Sequence, residues 1–137
     1  MAFQNYFYNL LPEVKSMINV ALIERNKTHR ESLATLLSQL NGLKVVHAAA
    51  DGNWIHNFTG PPIHLMILDG SMGQEQCLDL IRQSSSLGMK VKTLILLMFR
   101  EELDHDFATG SVMLKSAGKS EFEGRIRQLM TDYIAEP

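Results

Sequence analysis

Five short apolar runs, separated by stretches of helical periodicity, constrain this chain more than any other feature. Residues 18–23 read INVALI, 43–48 LKVVHA, 63–68 IHLMIL, 91–98 VKTLILLM and 111–114 SVML. Runs that are apolar at nearly every position offer water no polar face, so they fit strands covered on both sides. The segments between them have a different period. After the first run, Thr28 as N-cap and Glu31 three residues on form a capping box. Leu33, Leu36, Leu37 and Leu40 follow at helical spacing, and Asn41 and Gly42 stop the helix. Residues 51–58 predict a short, poor helix closed by Gly60, Pro61 and Pro62. Residues 74–85 predict a helix, and 101–107 at most two turns of one. A second capping box, Ser120 with Glu123, opens the last helix, which shows Phe122, Ile126, Leu129, Met130 and Tyr133 on one face.

Strand–helix alternation with short connections implies parallel strands and right-handed crossovers. The expected fold is α/β, a doubly wound five-stranded parallel sheet. At 137 residues the chain makes one such domain and buries a core without staples. A net charge of −2 sets up no strong field towards nucleic acid or anionic lipid, so the expectation is no membrane and no direct nucleic-acid contact. The single cysteine, Cys77, excludes an internal disulfide and fits a reducing, cytoplasmic setting. No apolar run approaches the roughly 20 residues of a membrane span. There is no G-x-G-x-x-G and no P-loop, which argues against a nucleotide-binding enzyme on the same sheet.

In doubly wound sheets, chemistry gathers at the carboxyl ends of the strands near the topological switch point. Here those ends carry Glu24, Arg25 and Asn26, then Asp69, Gly70 and Ser71, then Phe99 and Arg100, then Lys115 and Ser116. Taken alone, Asp69 is a turn-forming Asp before Gly, Lys115 a solvated strand end, and Glu24 a helix cap. Together they set two acids and a lysine at one sheet edge. A carboxylate can accept a phosphoryl group, a lysine can stabilise the charge on it, and an acid pair can hold a divalent metal.

In this order of landmarks the chain from about residue 18 to 133 resembles the CheY-like receiver domain of bacterial response regulators. An acidic position ends the first strand, and Asp69 ends the third, 45 residues later; the loop DGSMG follows, and Lys115 ends the fifth strand. The resemblance implies strand order 2-1-3-4-5. It also implies a two-component signalling domain rather than an enzyme, with a protein partner, either a histidine kinase or a downstream regulator. It places Asp69 at the phosphoacceptor and Lys115 at the charge-stabilising position. It assigns Mg²⁺ to Glu24, Asp69 and the backbone carbonyl of Ser71.

The departures point another way. The family has two adjacent acids after strand one; here Glu24 precedes Arg25, whose guanidinium would repel the metal and could pair with Asp69 instead. A hydroxyl residue belongs after strand four, where Met98 stands. An aromatic belongs three residues before the lysine, where Val112 stands. Gly73 and Ser116 replace two usual prolines. Only 17 residues separate Met98 from Lys115, fewer than is usual, so the fourth helix is expected to be shortened. The pattern resembles pseudo-receivers, which act through protein contacts without phosphorylation; an active phosphoacceptor at Asp69 is the alternative.

Residues 1–17 form an extension ahead of the receiver-like domain at 18–137. Phe3, Tyr6, Phe7, Leu10, Leu11, Val14 and Met17 fall at near-helical spacing, which suits a segment packed on the domain itself or a disordered tail, or else a dimer contact or partner-docking element. The segment lacks a basic n-region and a small-residue cleavage site, so it does not read as a signal peptide. A DNA-binding output domain following in a longer protein is compatible with an ending just after the last helix. Histidines 29, 47, 56, 64 and 105 show no ligand spacing, and Trp54 is expected to anchor packing.

Overall fold

The computed structural model describes residues 17–100 and 111–131. Five strands form one parallel sheet: β1 (Ile18–Ile23), β2 (Leu43–Ala49), β3 (Leu65–Asp69), β4 (Lys92–Leu97) and β5 (Ser111–Leu114). Their order is β2-β1-β3-β4-β5, as expected. The helices are α1 (Lys27–Ser38), α2 (Gln74–Ser86) and α3 (Lys119–Leu129). The expected N-terminal extension, apart from Met17, and the expected shortened helix at 101–107 lie outside the described residues. Among the described residues no helix is long and apolar enough to cross a membrane.

Alternate residues of each strand feed two separate cores, which is why the runs are apolar throughout. Val20, Leu22, Leu65, Ile67, Leu94 and Leu96 point to one face, where α1 supplies Leu33 and Leu37 and α3 supplies Phe122 and Ile126. Ala21, Ile23, Met66, Leu68, Ile95 and Leu97 point to the other, where α2 supplies Cys77 and Leu80. The helices after β1 and after β3 therefore leave the sheet on opposite faces. That reversal opens a crevice between the carboxyl ends of β1 and β3. Phe122 is fully buried, a contribution of roughly 1.5–3 kcal/mol from its ring alone.

Several boundaries differ from those the sequence suggests. Asn26, not Thr28, caps α1: its backbone is extended and its Oδ1 accepts the His29 N–H at 2.9 Å. Asn is the stronger cap, and it follows directly on the extended end of β1. Gly118 rather than Ser120 precedes α3, where the Glu121 carboxylate reaches back to the Gly118 N–H at 3.4 Å. Glu123 instead pairs with Arg127 across the exposed face at 3.6 Å, a contact worth a few tenths of a kcal/mol. The helix expected at 51–58 contracts to a single 3-10 turn, Ile55–Asn57. Asp51 Oδ1 accepts the Asn53 N–H, a local turn that competes with helix formation. β3 starts at Leu65 and includes Asp69, while β4 stops at Leu97 and leaves Met98 outside it.

Trp54 packs as expected, in a trio with His47 (centroids 4.2 Å apart) and Phe58 (5.4 Å). Trp54 and Phe58 of this trio pack against the second core.

Gly70 is required by a close approach. A Cβ there would lie 2.6 Å from Leu97 Cδ2 and 2.8 Å from the Leu96 carbonyl oxygen. Gly70→Ala is expected to lower stability by about 1–3 kcal/mol. Gly124→Ala, in the middle of α3 with open space around it, should raise stability by about 0.5–1 kcal/mol. Urea melts of the two variants should move in opposite directions.

Candidate functional site

The carboxyl ends of β1, β3 and β5 bring Glu24, Asp69 and Lys115 together, as the sequence suggests. β1 and β3 are neighbours, with Ile23 opposite Leu68, so the residue after β1 and the last residue of β3 face one crevice. β5 lies two strands from β3, about 10 Å across the sheet. Lys115 is long enough to reach across the end of β4, and its own backbone N–H is fixed to the Leu97 carbonyl at 2.8 Å.

The Lys115 ammonium lies 2.8 Å from Asp69 Oδ1 and 3.0 Å from Glu24 Oε1. Glu24 Oε2 is 3.3 Å from it. The acids are each 1% exposed, and the lysine side chain 8%. The other lone pairs are met mostly by the backbone. Asp69 Oδ1 accepts the Ser71 N–H at 2.9 Å and Oδ2 the Arg25 N–H at 3.2 Å. Glu24 Oε2 accepts the Asn26 N–H at 3.0 Å. Among the described residues, Glu24 Oε1 has no hydrogen-bond partner beyond the ammonium.

Burial alone would push the Asp69 carboxyl up. The Lys115 ammonium, with the Ser71 backbone and hydroxyl, outweighs that and holds it well below the usual carboxylate range. For Lys115, burial lowers the pKa, but the Asp69 and Glu24 carboxylates more than reverse this and raise it. Nearby Cys77 is fully buried, and its Sγ donates to the Asp69 carbonyl at 3.8 Å. Burial first, then the Asp69 charge, pushes its thiol up to about 11, so it is not a nucleophile near neutral pH.

Arg25 takes a different part from the pairing considered above. Its side chain is exposed, and only its backbone N–H touches Asp69. Arg30 was missed by sequence reasoning; its guanidinium donates to the Glu24 carbonyl at 2.8 Å. Its position one turn into α1 was the available signal. Backbone donors such as Arg25 and Ser71 N–H leave no trace in residue identity. Ser71 meets Asp69 through its N–H. Met98 is 48% exposed just past β4. Asp69 lies opposite Leu96, and the single hydroxyl of β4, Thr93, pairs with Met66, three residues back. Val112 is half-buried against the α2-side core, and its carbonyl accepts from Arg125 at 2.7 Å.

The described residues offer magnesium two carboxylates, Glu24 and Asp69, and the Lys115 ammonium lies between them. Each Asp69 oxygen accepts one N–H, which leaves lone pairs over. Among the described residues no group of three or more His, Cys, Asp or Glu is assembled; one or two carboxylates and several waters are the usual set for Mg²⁺, so these two would hold the ion only if the ammonium gave way.

No protein-family model and no curated protein matches the chain. Solved structures do. The response regulatory domain of mrkE from Klebsiella pneumoniae is 16% identical, with a TM-score of 0.67 over 85% of this chain and 98% of its own. A chain from the complex of the CheA3 P1 domain with CheY6 of R. sphaeroides is 22% identical, with a TM-score of 0.68 over 84% and 98%. The signal receiver domain of the response regulator NarL from Mycobacterium tuberculosis is 16% identical, with a TM-score of 0.63 over 82% and 95%. At these identities the likeness establishes the fold, which is that of response-regulator receiver domains.

Removing the lysine should be costly. Lys115→Met leaves two buried carboxylates with no counter-ion, an expected loss of about 3–5 kcal/mol. Adding Glu24→Gln and Asp69→Asn should restore most of it, because an uncharged cluster needs no ion. The pH dependence has a definite sign. The folded pKa of Asp69 is depressed, so its contribution is present above the unfolded value of about 4 and is lost as pH falls below it. That of Lys115 is raised, so its contribution holds below about 10 and is lost as pH climbs through the folded value. Thermal melts should show a flat top across neutral pH, and Asp69→Asn should shallow the acid limb.

Proposed function

We propose that this chain is a receiver-type signalling module that works through protein contacts and does not depend on phosphorylation. The observation that carries the reading is the Lys115 ammonium seated between both acids at the switch point. The site supplies its own cation there, and the position beside Glu24 that would add a second carboxylate is the exposed Arg25. The strand-four end offers Leu97, Met98 and Phe99, with no hydroxyl to follow a phosphoryl group. One of the similar structures is a complex of the CheA3 P1 domain with CheY6. A folded protein domain, from a kinase or a downstream regulator, is accordingly the kind of partner we assign.

A second reading has its own support. Asp69 sits at the end of β3 with an ammonium at 2.8 Å and two N–H groups at 2.9 and 3.2 Å, donors that would also stabilise an acyl phosphate. In that reading an Asp69 oxygen attacks phosphorus; with a kinase phosphohistidine as donor the P–N bond breaks and the imidazole takes up a proton, and with acetyl phosphate the P–O bond breaks and acetate leaves as the anion.

Intact mass after incubation with acetyl phosphate and magnesium separates the two. The expected result is no added mass, in wild type and in Asp69→Asn alike. A gain of one phosphoryl group in wild type that disappears in Asp69→Asn would overturn the proposal in favour of the second reading. Arg25→Asp, which restores the second acid, is expected to create uptake where wild type has none.

A further inference from the structure

A cavity of about 570 Å³ opens at the amino ends of β3 and β4, the end of the sheet opposite Asp69. Its walls come from the 3-10 turn Ile55–Asn57, the loop leading into β3 and the turn leading into β4. Phe58, Pro61, Pro62, Leu87 and Met89 give it apolar surface. Leu87, in its wall, is 44% exposed, and Met17, just ahead of β1, is 39% exposed. Two of the four large apolar residues exposed among the described residues thus stand at this one end of the sheet.

The chain enters the sheet beside this cavity. Asn19, the second residue of β1, donates from Nδ2 to the carbonyl of Pro62, a wall residue, at 2.8 Å. The His64 N–H donates to the Asn19 carbonyl at 2.9 Å, which ties the loop into β3 to the start of β1. Strand alternation sets Asn19 on the face of Ala21 and Ile23, the side covered by α2. Ile55 and Ile63 of the cavity wall belong to that same core. The segment ahead of Met17 therefore starts at the mouth of the cavity. β3 and β4 lie about 5 and 10 Å from β1 across the sheet. Phe7 precedes Met17 by ten residues, a length that covers roughly 15 Å even at the helical rise.

We propose that this cavity is the seat of residues 1–16 of the same chain, with the rings of Phe3, Tyr6 and Phe7 set against Phe58, Pro62 and Leu87. Rings laid on proline and leucine remove apolar surface from water on both sides of the contact. A tether this short gives the segment an effective concentration on the order of millimolar, so a chain fills its own cavity ahead of a second copy. The extension then clasps the amino end of the sheet, independently of the chemistry at Asp69.

The test is a measurement of nuclear Overhauser contacts in the full chain, between ring protons of Phe3, Tyr6 and Phe7 and methyl groups of Ile63, Leu87 and Met89. Such contacts are expected, and they should persist on dilution. The full-chain variant carrying Phe3→Ser, Tyr6→Ser and Phe7→Ser should lose them and shift amide signals at residues 55–64 and 87–90. Leu87 is exposed, so Leu87→Glu leaves the core intact; it should speed tryptic cleavage after Lys15 about tenfold, since cleavage follows the undocked population. Leu87→Met and Asp69→Asn should leave that rate unchanged. The proposal is overturned by absence of the ring-to-methyl contacts, by amide shifts of the serine variant that map to the carboxyl ends of β1 and β3, or by indifference of the cleavage rate to Leu87→Glu. Contacts that fade on dilution, or that appear between differently labelled copies in a mixed sample, would overturn it too, since a second copy would then be the occupant.

Discussion

One ammonium group holds the end of this sheet together. Two carboxylates buried at adjacent strand ends repel each other and lose their hydration, and either effect alone would open the crevice or protonate an acid. Lys115 cancels the repulsion by lying within 3.0 Å of both. It also joins the ends of three strands, β1, β3 and β5, across the full width of the switch point. The backbone N–H groups of Arg25, Asn26 and Ser71 complete the arrangement. They can do so because β1 and β3 both end in turns that aim amide hydrogens back at the acids. The charge balance at the switch point thus rests on one ammonium and three backbone amides.

Much of the fold was legible because its signals are redundant. Each strand is apolar on both faces, and each intervening segment carries either a helical stripe or a breaker, so alternation alone leads to a doubly wound sheet. What the sequence blurred were the ends. Thr28 and Glu31 make a good capping box on paper, yet Asn26 wins because it stands where the chain is still extended. The stretch at 51–58 has hydrophobic residues at passable spacing. Asp51 nevertheless folds onto Asn53, and only one 3-10 turn remains. Local side-chain competition of this kind depends on a few tenths of a kcal/mol, which no periodicity reports.

The site was legible in its charges and opaque in its backbone. Asp69, Glu24 and Lys115 could be placed at one edge from strand order alone. The geometry adds how they share the space: the lysine bridges the acids, and the arginine beside Glu24 turns outward while lending only its amide. A guanidinium next to a carboxylate in sequence suggested an ion pair. The alternation of a strand that ends at Ile23 instead directs the Glu24 side chain inward and the Arg25 side chain to water. Across the site, the departures fall at Met98, exposed just past β4, and at Val112, half-buried on β5. The positive centre between the acids is the Lys115 ammonium, and the hydroxyl of β4, Thr93, lies three residues back from Asp69 along the sheet.

The separation of these charges along the chain has a consequence for how the protein is made. Lys115 follows Glu24 by 91 positions. While the polypeptide is being synthesised, four strands can emerge with both acids in place and without the ammonium that lies between them. Burying the crevice at that stage would cost several kcal/mol, so the early strands stay loosely joined and the acids stay wet. A nascent chain halted before Lys115 holds most of its apolar residues but lacks the ion that lets them come together.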